Sequence, residues 1–350
     1  MKTIFRYLAI VIALPAIYLA SVILFGTITN FKPDENTTIS SMEDGFAISG
    51  TAEYSALIYN IGYCGLGANM DFFYDGGTKV RDTEENTRRN LFHITSWLQL
   101  VDTVDFMLLQ EVDKKSRRSY HINQVEHLNM ALAGYFPFFA LNYNAKFVPL
   151  PLLRPMGRVE SGLLTLSKHV PQSSVRFSFP GNYSWPKSSF MLDRCFLVNR
   201  YRLEAGNELL IINTHNSAYD DGTLRDKQKE YLKTFIESEA GKGNHLLIGG
   251  DWNECPPGFM PRFDGHVFDT VNLHYIDKNY MPDTWKWGYD STQPTNRRVV
   301  TAYEKGSCPV TLIDFFLVSP GIEILECKTF STGFSHSDHQ PVMIKFRLKQ

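Results

Sequence analysis

Polar side chains interrupt several of the most apolar runs in this sequence. Asp251 and Asn253 follow the aliphatic residues 246–248 and a Gly-Gly pair, and in an extended chain both point to the same side. Asp314 lies within another apolar run, where an unpaired carboxylate would be costly. A carboxylate accepts hydrogen bonds or binds a metal ion, and an amide both donates and accepts. These residues could therefore bind phosphate oxygens and a water molecule.

The same pattern recurs beside other predicted strands. Asn60, Glu111 and His215 each end an apolar run, and Asp338 and His339 precede the last one. Each of these residues alone is more typical of a polar strand end or a turn. Together they offer carboxylates and an amide for an oxygen-preferring cation and histidines for proton transfer. The set therefore predicts the site of a hydrolase that uses a divalent metal ion.

The apolar runs predict the elements that position these residues. Their length and composition are typical of buried strands, at residues 54–60, 104–110, 161–167, 195–203, 209–215, 246–250, 311–318 and 341–348. Apolar residues recur at helical spacing near residues 91–101 and 120–133 and after residue 223. Strands that are apolar on both faces need cover on both sides. We therefore predict one α/β domain, residues 51–350, in which two packed mixed sheets lie between outer helices.

Composition excludes several classes of protein. The chain has 350 residues, of which 43% are hydrophobic and 21% charged, so it is not largely disordered. Its formal net charge of -2 provides no overall positive field that would attract a polyanion. This net charge does not exclude a local basic patch. Five scattered cysteines without a CxxC pair do not indicate a zinc site or a dense disulfide framework. Their odd number leaves at least one free thiol in a monomer, which is the state we expect.

The first 29 residues predict a membrane anchor or a signal segment. Lys2 and Arg6 precede a nearly uncharged apolar stretch, residues 7–28, that is long enough to cross a bilayer as a helix. We favour an uncleaved anchor, with the positive end in the cytoplasm and the catalytic domain in the periplasm or outside the cell. The alternatives are secretion after signal cleavage and a buried core helix. Residues 30–50 are polar and predict a linker.

Six short motifs together resemble those of the endonuclease/exonuclease/phosphatase superfamily, and in particular its deoxyribonuclease and neutral sphingomyelinase-like branch. The motifs occur in the order of that group and span the chain after Ala52: Asn60, Gln110-Glu111, Asn213-Thr214-His215, Gly250-Asp251-Trp252-Asn253, Ile313-Asp314 and Ser337-Asp338-His339. The resemblance implies a four-layer α/β/β/α sandwich with its site at one edge of two packed sheets.

The resemblance also implies roles for individual residues. Glu111 would be the main ligand of a Mg²⁺ or Mn²⁺ ion, with Asn60 and Asp338 beside the metal. Asp251 would polarise the attacking water, and Asn253 would bind a phosphate oxygen.

Two histidines complete the expected site. His339 would act with Asp314, which would fix the ring tautomer and stabilise its charge. His215 would donate to the phosphate or to the leaving oxygen. Glu160 matches a segment that orients such a histidine, and its alternative is a solvated loop charge.

The sequence indicates the substrate less narrowly than it indicates the reaction. The loop at residues 282–298 contains Trp287, Arg297 and Arg298, which could bind nucleic-acid bases and phosphates or a phospholipid headgroup, or could pack the loop. We expect a membrane-anchored phosphodiesterase. The alternatives are a nuclease for extracellular DNA or RNA, a sphingomyelinase-like lipid phosphodiesterase, and a catalytically inactive surface binding protein.

Overall fold

The computed structural model describes residues 2–42, 47–218, 222–271 and 273–349. Four α-helices occur in this part of the chain: α1 (Lys2–Ile28), α2 (Glu84–Leu100), α3 (Gln124–Ala131) and α4 (Thr223–Gly241). The strands of the same part are β1 (Asn36–Ser41), β2 (Glu53–Asn60), β3 (Phe106–Asp113), β4 (Phe136–Val148), β5 (Gly157–Ser167), β6 (Ser173–Ser178), β7 (Cys195–Arg202), β8 (Glu208–His215), β9 (His245–Asp251), β10 (Val267–Phe268), β11 (Lys286–Gly288), β12 (Asn296–Arg297), β13 (Pro309–Thr311), β14 (Asp314–Val318), β15 (Ile322–Thr329) and β16 (Val342–Leu348).

Two large mixed sheets form the centre of the domain. One has six strands in the order β15-β16-β2-β3-β5-β4, and the other has seven in the order β1-β6-β7-β8-β9-β14-β11. A small third sheet has the order β10-β13-β12. Each large sheet contains one parallel pair, β2 with β3 and β8 with β9. The two strands of a parallel pair end at the same edge, which brings their terminal residues together.

Apolar side chains fill the three spaces between four layers. Between the sheets, residues such as Ile58, Phe106, Ile211 and Phe316 are fully buried. Helices α2 and α3 cover the outer face of the six-stranded sheet, and α4 covers that of the seven-stranded sheet. The strands are apolar on both faces because each sheet is covered twice. The predicted α/β/β/α sandwich is confirmed.

One buried amide pair joins the two sheets. Gln110 Nε2 of β3 donates a hydrogen bond to Asn213 Oδ1 of β8 at 2.8 Å. Asn213 Nδ2 donates in turn to the backbone oxygen of Leu109 at 3.2 Å. Both side chains are fully buried, so these bonds compensate part of the cost of placing amides in an apolar interface, although Gln110 Oε1 has no partner among the described residues.

The segment expected as a linker contains a strand. Within residues 30–50, β1 pairs antiparallel with β6 and extends the seven-stranded sheet at its edge. The Thr and Ser residues of β1 show no apolar alternation that would predict a strand. An edge strand needs none, because backbone hydrogen bonds can hold it with little side-chain burial. The linker prediction therefore misses β1.

Helix α1 is long and apolar enough to cross a membrane, a test that a signal sequence also passes. Most of its described side chains are exposed, but Val22 and Gly26 near its C-terminal end are buried. A Cβ atom at Gly26 would overlap the ring of Phe190, so α1 packs closely on the domain there.

Candidate active site

The site begins at the end of β9, where the pair Gly249-Gly250 precedes Asp251. Gly250 has a φ of +152°, and a Cβ atom there would overlap the backbone oxygen of Thr214 on β8. Only glycine permits this approach without displacing the neighbouring strand. Three residues later Asn253 has a positive φ of +53°, and its backbone N–H donates to Asp251 Oδ1 at 3.0 Å. The turn thus fixes the Asp251 carboxylate at the edge of the sheet.

Asp251 is the centre of the site. Its Oδ2 accepts a hydrogen bond from Asn60 Nδ2 at 2.9 Å, and it lies 3.4 Å from His215 Nε2 and 3.6 Å from His339 Nε2. Residues from both sheets therefore converge on one oxygen atom. Burial raises the pKa of Asp251 to about 6, although the charge of His339 opposes this shift.

His339 and Asp314 form a buried pair. Nδ1 of His339 lies 2.8 Å from Asp314 Oδ2, and Asp314 pairs with Asp251 across β14 and β9. Burial alone would lower the pKa of His339, but the carboxylates of Asp314, Asp251 and Asp338 outweigh burial and raise it well above 6.5. The protonated form of His339 is therefore favoured by its surroundings. The amide of Asn296, a contact not foreseen from the sequence, lies 3.0 Å from His339 Nε2.

His215 differs from His339 in its charge. Burial lowers the pKa of His215 well below 6.5, and the charge of Arg194 adds to this effect. Its Nδ1 has no hydrogen-bond partner among the described residues. The structure does not bring Glu160 to this ring, because Glu160 Oε2 instead accepts from Arg158 Nη2 at 2.6 Å. The expected Glu160–His215 pair is absent, since the arginine two residues earlier on β5 holds that carboxylate.

Glu111 enters the site through an irregularity of β3. The pairing of β3 with β5 shifts between Leu109 and Val112, and Glu111 has a φ of +55°. Such a bulge redirects a side chain at the end of a strand. Glu111 Oε1 lies 3.5 Å from Asn60 Nδ2 and the carboxylate lines the same cavity as Asp251.

The chemistry around Glu111 fits a divalent cation. Burial raises the pKa of Asp338 to about 7, and the nearby charge of Glu111 adds to the shift while His339 opposes it. Two carboxylates that line one cavity, the charge of one raising the pKa of the other, favour a positive charge between them, and oxygen atoms are the ligands that Mg²⁺ prefers. Asp251, Asp314 and His339 also place ligand atoms within 4.8 Å of one another. A cation there would displace the 2.8 Å hydrogen bond of the His339–Asp314 pair, so Glu111 and Asp338 fit a metal better.

A cavity with a volume of about 460 Å³ is lined by Glu111, His215, Asp251, Asp338 and His339. Asn253 is on its wall, with its Nδ2 donating to the backbone oxygen of Asn216 at 2.9 Å. Arg118 also lines it and was not foreseen: its guanidinium binds the buried Asp113 at 2.9 Å and lies 3.7 Å from the Tyr63 ring centroid. No strand-end pattern marks Arg118, because it lies in a short 3-10 turn after β3. Arg194 and Arg225 extend this basic wall.

Two of the three residues expected to bind substrate have structural roles. Trp287 does not line the cavity; it packs edge-to-face on Trp252 and Phe315, with ring centroids 5.9 and 5.6 Å apart. Arg297 lies on the cavity wall but is only 1% exposed. Its guanidinium donates to the backbone oxygens of Leu66, Gly67, Met70, Arg298 and Thr301. Arg298 lines the cavity and pairs with Asp269 at 3.4 Å.

Arg297→Ala is expected to lower the free energy of unfolding by roughly 3 kcal/mol, because buried backbone oxygens lose a charged donor. Arg298→Ala is the matched control, since Arg298 is about one-third exposed, and should cost under about 1 kcal/mol. Denaturant unfolding followed by tryptophan fluorescence measures both changes. Equal stability of the two variants would contradict a structural role for Arg297.

The comparisons with known proteins agree with this fold. The model of the Endonuclease/Exonuclease/phosphatase family matches residues 59–339. No curated protein sequence matches the chain. An endonuclease/exonuclease/phosphatase from Beutenbergia cavernae DSM 12333 has a TM-score of 0.58 at 18% identity, over 85% of this chain and 72% of that one.

Two further solved structures share the fold. ANGEL2, a 2',3'-cyclic phosphatase in complex with adenosine-2',3'-vanadate, has a TM-score of 0.56 at 16% identity, over 88% of this chain and 99% of that one. D. rerio TDP2, complexed with single strand DNA product, has a TM-score of 0.53 at 13% identity, over 85% of this chain and 99% of that one.

Proposed function

Because the chain belongs to the endonuclease/exonuclease/phosphatase family, we propose that it is a membrane-anchored phosphodiesterase that depends on Mg²⁺ or Mn²⁺. The convergence of Asn60, His215 and His339 on Oδ2 of Asp251 supports this proposal most strongly. A buried carboxylate beside one charged and one neutral histidine provides both a proton acceptor and a proton donor. A binding surface alone has no need of such an arrangement.

The substrate phosphate binds at the end of the cavity where His215 and His339 meet Asp251. A divalent cation held by Glu111 and Asp338 would supply positive charge to a phosphate oxygen. Asn60, expected beside the metal, turns its Nδ2 toward Glu111 and accepts the Gly62 N–H at Oδ1, so its amide orients the carboxylates. His215 and Asn253 donate hydrogen bonds to the remaining phosphate oxygens. Both donors are held in place by the strand ends, so they need little rearrangement when charge develops on the phosphate.

The proton transfers use the other two ionisable groups. Asp251 accepts a proton from the attacking water, whose oxygen forms the new bond to phosphorus. As the ester P–O bond breaks, His339 supplies a proton to the leaving oxygen. Asp314 holds the His339 ring through Nδ1 and stabilises its positive charge, which leaves Nε2 directed toward Asp251 and the reacting groups.

Excess EDTA is expected to abolish hydrolysis of a generic phosphodiester, and added Mg²⁺ or Mn²⁺ should restore it. The reason is that Glu111 and Asp338 place uncompensated negative charge beside the phosphate. The measurement is the steady-state rate of the purified full chain before and after metal replacement. Full activity in excess EDTA would contradict metal dependence, and no activity with either metal would favour the inactive binding protein.

The same assay separates the candidate substrates. Plasmid DNA, sphingomyelin vesicles and a generic phosphodiester are supplied in parallel with Mg²⁺. Nicking of DNA faster than lipid hydrolysis would favour a nuclease, and the reverse would favour a lipid phosphodiesterase.

Helix α1 supports the membrane anchor in this proposal. Lys2 and Arg6 precede its apolar stretch, so the helix would be inserted with this end in the cytoplasm and the domain on the opposite side. The N-terminal residue of the protein isolated from membranes is expected to lie before the apolar stretch. An N-terminus beyond Gly26 would mean that α1 is a cleaved signal segment and that the domain is secreted.

A further inference from the structure

Two loops of the domain expose large apolar side chains. Leu150, Leu152 and Leu153 lie in the loop between β4 and β5 and are 48%, 65% and 97% exposed, and Trp185 lies in the loop between β6 and β7 and is 64% exposed. We call these four residues the apolar rim. Three exposed leucines within four residues of one loop are unusual on a protein surface that faces only water.

Trp185 of the apolar rim lies next to the end of α1. Trp185 Nε1 donates a hydrogen bond to Thr27 Oγ1 at 3.0 Å, and the ring of Phe190 in the same loop lies against Gly26. Trp185 is therefore at the level where α1, about 40 Å long, would leave a membrane on the side of the domain.

The two loops also form part of the wall of the cavity. The Tyr74 hydroxyl donates to the backbone oxygen of Leu150 at 2.9 Å, and the N–H of Met156 donates to the same oxygen at 3.0 Å. Tyr74 and Met156 line the cavity, as does Leu192, and all three belong to one hydrophobic cluster. The surface that carries the apolar rim is thus continuous with the site.

We propose that the apolar rim inserts into the surface layer of the bilayer that α1 spans. This inference rests on the membrane anchor of the proposed function. Tryptophan and leucine partition into the region between headgroups and acyl chains, and the exposed basic residues Arg154 and Lys187 lie in the same two loops and attract lipid phosphates. The domain is then held at two places, with one wall of its cavity beside the membrane surface.

Quenching of tryptophan fluorescence by brominated acyl chains tests the insertion. The full chain is reconstituted into vesicles of phosphatidylcholine and phosphatidylglycerol that carry bromine on the acyl chains. Trp185 is exposed, whereas the other four tryptophans are buried or half-buried in the domain. We expect strong quenching in the wild-type protein, loss of most of it in Trp185→Phe, and no such loss in the control Trp287→Phe. Equal quenching in wild type and Trp185→Phe would overturn the proposal.

A second variant tests the leucines without removing the reporter. Leu152→Ser/Leu153→Ser alters only exposed side chains and should fold normally. It is expected to reduce the quenching of Trp185 at least twofold, and unchanged quenching would exclude the leucines from the membrane surface. Because fluorescence quenching does not measure hydrolysis, a failed insertion does not contradict the proposed hydrolase activity. Conversely, an inactive enzyme whose Trp185 is quenched refutes the hydrolase alone.

Discussion

The His339→Ala variant is expected to hydrolyse a phosphodiester with a kcat lower by a factor of about 10²–10⁴, the usual contribution of a positioned acid or base. His339 is the charged histidine of the site, because three carboxylates raise its pKa well above 6.5. Its removal eliminates the proton for the leaving oxygen while His215 and Asn253 continue to bind the phosphate. The loss should therefore appear in kcat much more than in KM.

His169→Ala is the matched control for this variant. His169 Nε2 lies 3.0 Å from Asp105 Oδ1, so it is also half of a His–Asp pair, but it lies near the start of β3 and not at its catalytic end. We expect wild-type kcat for His169→Ala. Circular dichroism must show that His339→Ala is folded, since the substitution leaves Asp314 buried without its partner. A folded His339→Ala protein with wild-type kcat would exclude proton transfer by this ring.

The Glu111→Gln variant is expected to reduce kcat/KM by roughly 10²–10³ at a fixed Mg²⁺ concentration. A metal ion contributes several kcal/mol to the transition state, and each 1.36 kcal/mol corresponds to about a tenfold rate change. Glutamine retains the shape of the side chain but removes the charge that holds the cation. The Mg²⁺ concentration for half-maximal activity should rise in the same variant, which a titration of rate against metal measures.

Glu160→Gln is the corresponding control on the adjacent strand. Glu160 pairs with Arg158 at 2.6 Å, so the change should alter kcat/KM by less than a few-fold. A large loss in Glu160→Gln would restore the orienting role expected from the sequence. An unchanged metal requirement in Glu111→Gln would assign the cation to other ligands.

The most buried strands could be predicted from the sequence because buried strands leave a clear signal; these are β2, β3, β5, β7, β8, β9, β14 and β16. Apolar runs such as residues 246–248 predict core strands, and polar residues at their ends stand out against them. The edge strand β1 had no such signal, since it is held by backbone hydrogen bonds to β6. Strands β4, β6 and β15 were also missed, and their side chains are only partly buried. The short strands β10, β11, β12 and β13 were missed because two or three residues are too few to establish a period.

The side-chain partners in the site depended on distances that a sequence does not contain. Nothing in the order of residues distinguishes Arg158 from His215 as the partner of Glu160, because the choice is made by the path of β5. Trp287 and Arg297 have the chemistry to bind a substrate, but packing on Trp252 and donation to backbone oxygens use that chemistry within the fold.

The amide pair Gln110–Asn213 has a consequence for how this protein tolerates change. The proposed site is divided between the sheets, with Asn60 and Glu111 on one and Asp251 on the other. Apolar faces pack in many offsets at similar free energy, whereas a 2.8 Å hydrogen bond between buried amides selects one alignment. Variation on the inner sheet faces should therefore be limited by loss of that alignment, and hence of turnover, before the domain loses its ability to fold.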